Sequence, residues 1–283
     1  MLQITPDILA LIDRALEEDL VYHDPTTGYL IPPSEGGQAL VVSKAQGVLA
    51  GIDVACAVFQ RVDPTIKTHK LLEDGMALAP GDKITEVSGP LNSILRGERT
   101  ALNFVQRMSG IATLTSRYVN AVKETNAQIL DTRKTVPGFR YLDKYSVRMG
   151  GGHNHRMNLA DGILIKDNHI AALKAKGLSL TESVRLALAG APHTLKVEVE
   201  VETIEQARQA LEGGAHILML DNMSLTDMKE AAALAKGKAL TEASGGINLD
   251  TVLAAAETGV DLISVGALTH SVEALDLSLD FET

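Results

Sequence analysis

Beyond Lys123 the chain changes character: short apolar runs alternate with stretches of helical periodicity, and each run stops at polar residues. The runs are residues 128–130, 162–165, 195–199, 217–220, 239–240 and 262–265, with helical patterns such as 204–211, 225–234 and 249–257 between them. Alternating strand and helix predicts parallel strands joined by right-handed crossovers. Polar residues collected at the carboxyl ends of such strands mark the active face of a TIM-type barrel. The six runs predict six strands, with a further candidate near Val147. Periodicity leaves open whether an eighth is hidden or the barrel is incomplete.

The residues after the runs carry the chemistry. Asp131-Thr132-Arg133-Lys134 follows the first run, Lys166-Asp167 the second and Glu200 the third, which itself contains Glu198. Asp221-Asn222, then Ser244-Gly245-Gly246, then Gly266-Ala267 follow the others. The chain is acidic, with 36 Asp and Glu against 26 Lys and Arg. Between Asp131 and Ile170 the balance reverses: Arg133, Lys134, Arg140, Lys144, Arg148, Arg156 and Lys166 outnumber Asp131, Asp143, Asp161 and Asp167. A local cationic field on an anionic protein suits a small, multiply charged anion. Scattered Lys and Arg usually mean a solvated face, but Arg133, Lys134 and Lys166 stand where apolar runs end.

Each group has an ordinary reading beside the functional one. The glycine pairs let backbone N–H groups approach an anion, and a following helix would present its positive end, so a substrate phosphate is expected there. Glycine is also common at any strand-to-helix turn. Glu200 and Asp221 could hold Mg²⁺, hydrogen-bond ribose hydroxyls or stabilise positive charge developing on a sugar carbon; each could equally pair with a neighbouring Lys or Arg, Lys166 with Glu200 in particular. His153-x-His155, beside three glycines, lacks the further ligands of a metal site. Next to Arg156 these histidines are better read as donors to substrate carboxylates, with Arg133 and Arg156 as bidentate forks.

Composition narrows the class. At 45% hydrophobic but 3% aromatic, with no Trp, the core is built from Leu, Ile, Val and Ala. Few aromatics and a net charge of -10 argue against nucleic-acid binding. The single Cys56 allows no internal disulfide, sits in an apolar stretch and fits a reducing compartment. No signal peptide and no apolar run able to span a bilayer are found, so a soluble cytoplasmic protein is expected.

The N-terminal part reads as a smaller α/β unit. Thr5-Pro6 is a helix cap and first position, and Asp24-Pro25-Thr26-Thr27-Gly28 reads as a loop. Extended segments at 39–43 and 48–52, a helix at 54–61 and a strand at 83–87 follow. Residues 91–123 are helical in pattern, with an interruption expected at Ser109-Gly110. Arg96 and Arg99 lie off the apolar stripe and read as solvated. Alternating Leu275, Leu277, Leu279 and Phe281 predict a last strand that packs back onto this unit. The expected division is residues 1–108 and 109–269, with 270–283 returning to the first.

ERTALNFVQRMSGIAT, DTRKTVPGFRYLDKYSVRMGGGHNHR, LIKDNHI, VEVEVET, LMLDNM, EASGGI and ISVGALTHS, spread from Glu98 to Ser271, closely resemble quinolinate phosphoribosyltransferase. The resemblance implies an N-terminal α/β sandwich plus an incomplete α/β barrel. It implies phosphoribosyl transfer from phosphoribosyl pyrophosphate to the quinolinate nitrogen with decarboxylation, giving nicotinate mononucleotide, pyrophosphate and CO₂ in de novo NAD synthesis. Mg²⁺ would accompany the pyrophosphate donor, held by Glu200 and Asp221 or only through the donor itself. The resemblance puts Thr132, Arg133, His155 and Arg156 on the quinolinate carboxylates, with Lys134 and Lys166 adding charge. Ser244, Gly245, Gly246, Gly266, Ala267 and His270 would hold the 5′-phosphate. It implies a homodimer in which Arg99 reaches into the partner's site, against the solvated reading above. Val21 and His23 stand where the family shows glycine, which leaves that loop's conformation open.

Three rivals remain: a non-carboxylating nicotinate phosphoribosyltransferase, a binding protein of similar sequence without turnover, and another sugar-phosphate barrel enzyme. The first needs one fewer cationic partner than the chain offers. The second should have lost part of the Lys134, Lys166, Glu200, Asp221 set, and the third leaves the cationic segment unexplained.

Overall fold

The computed structural model describes residues 2–281, which fall into two units. The first comprises Met1–Ser116, Val136–Gly151 and Ser271–Thr283; the second comprises Arg117–Thr135 and Gly152–His270. The boundary falls inside one long helix, Leu91–Val122, just after Ser116.

In the first unit, β1 (Gly36–Ser43), β2 (Gly47–Val48), β3 (Lys67–Lys70), β4 (Ala77–Leu78) and β5 (Lys83–Pro90) are all antiparallel in their pairings. β1 is flanked by β5 and by the C-terminal strand Leu277–Phe281, with Val41 opposite Leu279. The alternating leucines of that last strand therefore do return to this unit. Thr5 caps the first helix, Pro6–Glu18, which turns Ile8, Ile12 and Leu16 inward. Its core partners include Leu49, Ile52, Phe59, Ile84 and Met108, all buried.

Four local expectations change, the first at 48–52, where only Gly47–Val48 is a strand and Ile52 already begins the helix Ile52–Val62. Asp24-Pro25 is not a loop: Asp24 accepts from the N–H groups of Thr26 and Thr27 and starts a helix, Pro25–Leu30. This is the cap-then-proline signature already read at Thr5-Pro6. The left-handed residue just before it is Leu20, with φ 48°, rather than Val21 or His23. Ser109-Gly110 does not interrupt the long helix. Ser109 Oγ exchanges hydrogen bonds with the backbone of Ala50, and a Cβ on Gly110 would lie 2.1 Å from the Glu273 carbonyl oxygen. Glycine serves close packing there, not a break. Val147 is in a helix as well, Arg140–Met149, and no strand is found there.

The second unit holds six parallel strands, one for each apolar run: β6 (Gln128–Leu130), β7 (Ile163–Ile165), β8 (Val197–Val201), β9 (Ile217–Asp221), β10 (Leu240–Ser244) and β11 (Leu262–Ser264). Their order is β6-β11-β10-β9-β8-β7, so β6 has come round to pair with β11, and the barrel lacks pairing only between β6 and β7 among the described strands. The segment after Gly152 lies along the open edge of β6. His153 N–H donates to Ile129 O, and Asp131 N–H donates to His153 O, as in a parallel bridge.

Candidate active site

Strand alternation puts Glu198, Glu200, Met219, Asp221, Glu242 and Ser244 on the inward face of the second unit. In register, Glu200 and Glu242 both pair with Met219, while Glu198 lies one inward level deeper. A cavity of about 630 Å³ opens at the carboxyl ends, lined by Arg133, Lys134, Arg156, Lys166, Glu200 and Asp221, with Thr132, His155 and the Ser244-Gly245-Gly246 loop.

The cations are fixed by their local chain. Asp131, fully buried, accepts from Asn154 Nδ2 at 2.6 Å and from the N–H of His155 at 2.9 Å. It thereby pins the segment carrying His155 and Arg156 beside the end of β6. Thr269 Oγ1 donates to the Lys134 carbonyl at 2.8 Å. Arg156 Nη1 donates to Gly162 O at 3.3 Å. Burial and the neighbouring Arg133 charge lower the Arg156 pKa, with Glu198 opposing them. Two guanidinium groups held near each other create a demand for anions.

Lys166 Nζ lies 3.0 Å from Glu200 Oε2, with the lysine side chain 46% exposed. Such a pair contributes about 0–1 kcal/mol to stability, so it is weak as a structural strap and easily exchanged for a substrate. Asp221 accepts from Asn222 Nδ2 at 3.0 Å. Asn222 itself has φ 53°, and its N–H donates to Ser244 O. The glycine loop needs glycine: Gly245 and Gly246 have φ 89° and 63°, and a Cβ on Gly245 would lie 2.3 Å from Asn222 Oδ1.

Other placements differ from the sequence reading. The helices after the two glycine loops are short, Val252–Ala256 and Ala267–His270, and the first begins well beyond Gly246. Loop N–H groups, rather than a long helix dipole, are what this corner offers an anion. Gly266, Ala267 and His270 do not line the cavity directly. Gly266 lies against it, since an added Cβ would meet His270 Nε2 at 3.0 Å and Lys134 Cδ at 3.1 Å. Of the cationic segment, Arg140, Lys144 and Arg148 belong to the first unit, where Lys144 is fully buried and Arg148 lies over the Tyr145 ring. Arg99 is also in the first unit, exposed beside a cavity of about 330 Å³ with Arg107, Glu18 and Asp19. His169 accepts from the Lys166 N–H and caps the helix Asp167–Lys174.

His155 lines the cavity but turns its ring inward. Nδ1 accepts from the Arg156 N–H at 2.7 Å, while Nε2 lies 3.1 Å from Glu198 Oε2 and 3.7 Å from Glu242 Oε2. Glu198 and Glu242 are both buried, and Oε1 of each has no hydrogen-bond partner among the described residues. Burial first, and then the Glu198 charge, push the Glu242 pKa up to about 8. Each unsatisfied oxygen costs about 1–3 kcal/mol, so this pair is not there for stability. Sequence reading gave Asp131 and Asn222 a place at strand ends but no role, and gave Glu242 none. The signal for Glu242 was its place two residues before Ser244, on the same face of a strand that reads LTEAS.

Two family models match the chain: "Quinolinate phosphoribosyl transferase, N-terminal domain" over residues 24–109 and "Quinolinate phosphoribosyl transferase, C-terminal domain" over residues 111–280. The chain belongs to the quinolinate phosphoribosyltransferase family. Among relatives of this phosphoribosyltransferase chain is the "Nicotinate-nucleotide pyrophosphorylase [carboxylating]" of Mycobacterium leprae, 43% identical over 276 residues and covering 95% of each chain. The chloroplastic protein of the same name from Arabidopsis thaliana is 42% identical over 296 residues, covering 99% of this chain and 84% of that one. The crystal structure of NadC from Streptococcus pyogenes superposes with a TM-score of 0.94 at 38% identity, over 100% of both chains.

Proposed function

We propose that the chain transfers phosphoribosyl from phosphoribosyl pyrophosphate to the ring nitrogen of quinolinate and releases CO₂, forming nicotinate mononucleotide and pyrophosphate in de novo NAD synthesis. The observation that carries this is the convergence of Arg133, Lys134, Arg156 and Lys166 on one cavity that also holds Glu200, Asp221 and the Gly245-Gly246 loop, in a chain of this family.

Quinolinate has two adjacent carboxylates, and the cationic wall matches that charge. Arg133 and Arg156 are the bidentate forks, Lys134 and Lys166 add point charges, and Thr132 stands beside them. The loop of Ser244, Gly245 and Gly246 holds the 5′-phosphate together with Gly266, Ala267 and His270, and Gly266 packs close to His270 and Lys134. Glu200 and Asp221 face the ribose and offset positive charge as the bond to pyrophosphate breaks. Once the nitrogen is bonded to the sugar it is cationic. The C2–carboxylate bond can then break, leaving its electron pair on C2 beside that nitrogen until a proton takes it up. Positioning of this kind is worth about 7–11 kcal/mol.

Glu200 and Asp221 are hard oxygen donors on adjacent strand ends, which fits Mg²⁺ shared with a pyrophosphate. When bound, Mg²⁺ would neutralise charge on the leaving pyrophosphate. The resemblance and the exposed position of Arg99 support a homodimer in which Arg99 completes the partner's site. The lone Cys56, buried and with its thiol pKa raised by burial, fits a reducing, cytoplasmic setting. No described helix is long and apolar enough to cross a membrane.

The test is to incubate the protein with quinolinate, phosphoribosyl pyrophosphate and Mg²⁺, with nicotinate as a parallel substrate. Nicotinate mononucleotide and CO₂ from quinolinate alone are expected. Product from nicotinate alone would overturn the carboxylating reading, and no product from either would favour a binding protein.

A further inference from the structure

The deeper layer of the barrel holds His155, Glu198 and Glu242, whose facing atoms all lie within 4.8 Å of one another. A cavity of about 460 Å³ reaches the same three side chains from the amino-terminal ends of the strands, past Ile217, Leu240 and Leu262. One histidine and two carboxylates at this spacing invite a metal-site reading. The tautomer argues against it. Nδ1 accepts the Arg156 N–H, so it keeps its lone pair, and the neutral ring must carry its proton on Nε2. That nitrogen has no lone pair to give a cation. A metal-bound histidine shows the reverse arrangement, donating from its distal nitrogen.

The two carboxylates pull toward a charged imidazolium, but its Nδ1–H would face the Arg156 N–H donor to donor, and that contact opposes the charged form. A neutral ring between a backbone N–H and two carboxylates is a strut. It ties the backbone of Arg156 to β8 and β10, while Asp131 ties the adjacent N–H to β6. Glu198 also bears on the Arg156 guanidinium and opposes the repulsion from Arg133.

We propose that Glu198 and Glu242 are positioning residues for the dicarboxylate clamp, acting through a neutral, Nε2-protonated His155 that sets the place of Arg156. His155 then works chiefly on Arg156 instead of contacting substrate through its N–H. This rests on the quinolinate reading for its kinetic consequence, but not for its structural one.

The structural test uses the full chain with ¹⁵N-labelled histidine. The His155 resonances, assigned with a His155→Gln variant, should report a neutral ring protonated at Nε2 near neutral pH. An imidazolium, an Nδ1–H tautomer, or a shift to a metal-bound pattern on adding Zn²⁺ would overturn the proposal whatever the enzyme's activity. The kinetic test compares Glu242→Gln, Glu242→Leu and Glu198→Gln. The expected result is a fall in kcat/KM for quinolinate of about tenfold in Glu242→Leu, less in the Gln variants, with KM for the phosphoribosyl donor holding. Equal losses toward both substrates, or none, would overturn it. If the wild-type chain does not turn over quinolinate, the proposed function fails, and the histidine spectra still decide the strut.

Discussion

Lys166 and Glu200 hold each other 3.0 Å apart across the ends of β7 and β8. One belongs to the group expected to attract the pyridine carboxylates, the other to the group expected to face the ribose. Each neutralises the other, so a substrate that binds either one exchanges one ionic contact for another.

Glu200→Gln should therefore separate binding from turnover. The change leaves Lys166 without its carboxylate, so quinolinate should bind at least as tightly as to wild type. Turnover should fall on the order of 10²–10³-fold, the scale of losing one group aimed at transition-state charge. Calorimetry and steady-state rates check the two halves. Weaker quinolinate binding would mean that Glu200 organises the pocket instead of competing for Lys166.

Arg133→Lys and Arg156→Lys keep the charge and remove the planar fork. Quinolinate binding should weaken by about 1.5–3 kcal/mol in each, the worth of a hydrogen bond to a charged group. Equilibrium titration with quinolinate reads this directly. Wild-type affinity in either variant removes that residue from the clamp.

Arg99 lies in the first unit and the cationic cavity in the second. If Arg99 completes a partner's site, Arg99→Ala homodimers should be inactive, and so should Arg133→Ala homodimers. Mixed dimers carry one intact site and should recover part of the activity. Heterodimers shown to form but lacking activity would rule out a shared site.

Glu242 predicts a pH dependence of stability. It faces Glu198 on β8, His155 on the edge segment and Ser264 on β11, and its pKa is raised from 4.5 to about 8. Between those values the folded state binds a proton that the unfolded state has released. Stability from this group is therefore highest below about pH 4.5, falls as pH rises, and is fully lost above about pH 8. Glu242→Gln does not titrate, so its Tm relative to wild type should climb from about pH 5 to about pH 8 and then level off. A constant difference in thermal scans would show that Glu242 is ionised throughout.

Much of the fold was legible because its signals are local. Each apolar run became a parallel strand, and Thr5-Pro6 became a helix start. Asp24-Pro25 carried the same signature, but the neighbouring Thr-Thr-Gly suggested a loop. At Ser109-Gly110 the sequence shows a glycine without showing why; the approach of the Glu273 carbonyl supplies the reason. Counting charges between Asp131 and Ile170 found the cationic site but overstated it, since Arg140, Lys144 and Arg148 lie on a helix of the other unit.

By itself the sequence determined an alternating α/β barrel unit with charged carboxyl ends, its family, and the residues at the rim. Those follow from period-two and helical patterning and from motifs within a few residues of one another. Tertiary structure alone decided that Glu242 meets Glu198 and His155, that His155 turns its N–H inward, and that Asp131 accepts the N–H groups of His155 and Asn154. These contacts join segments tens of residues apart, and they depend on the register between strands and on which edge of the sheet stays open. No local pattern encodes either.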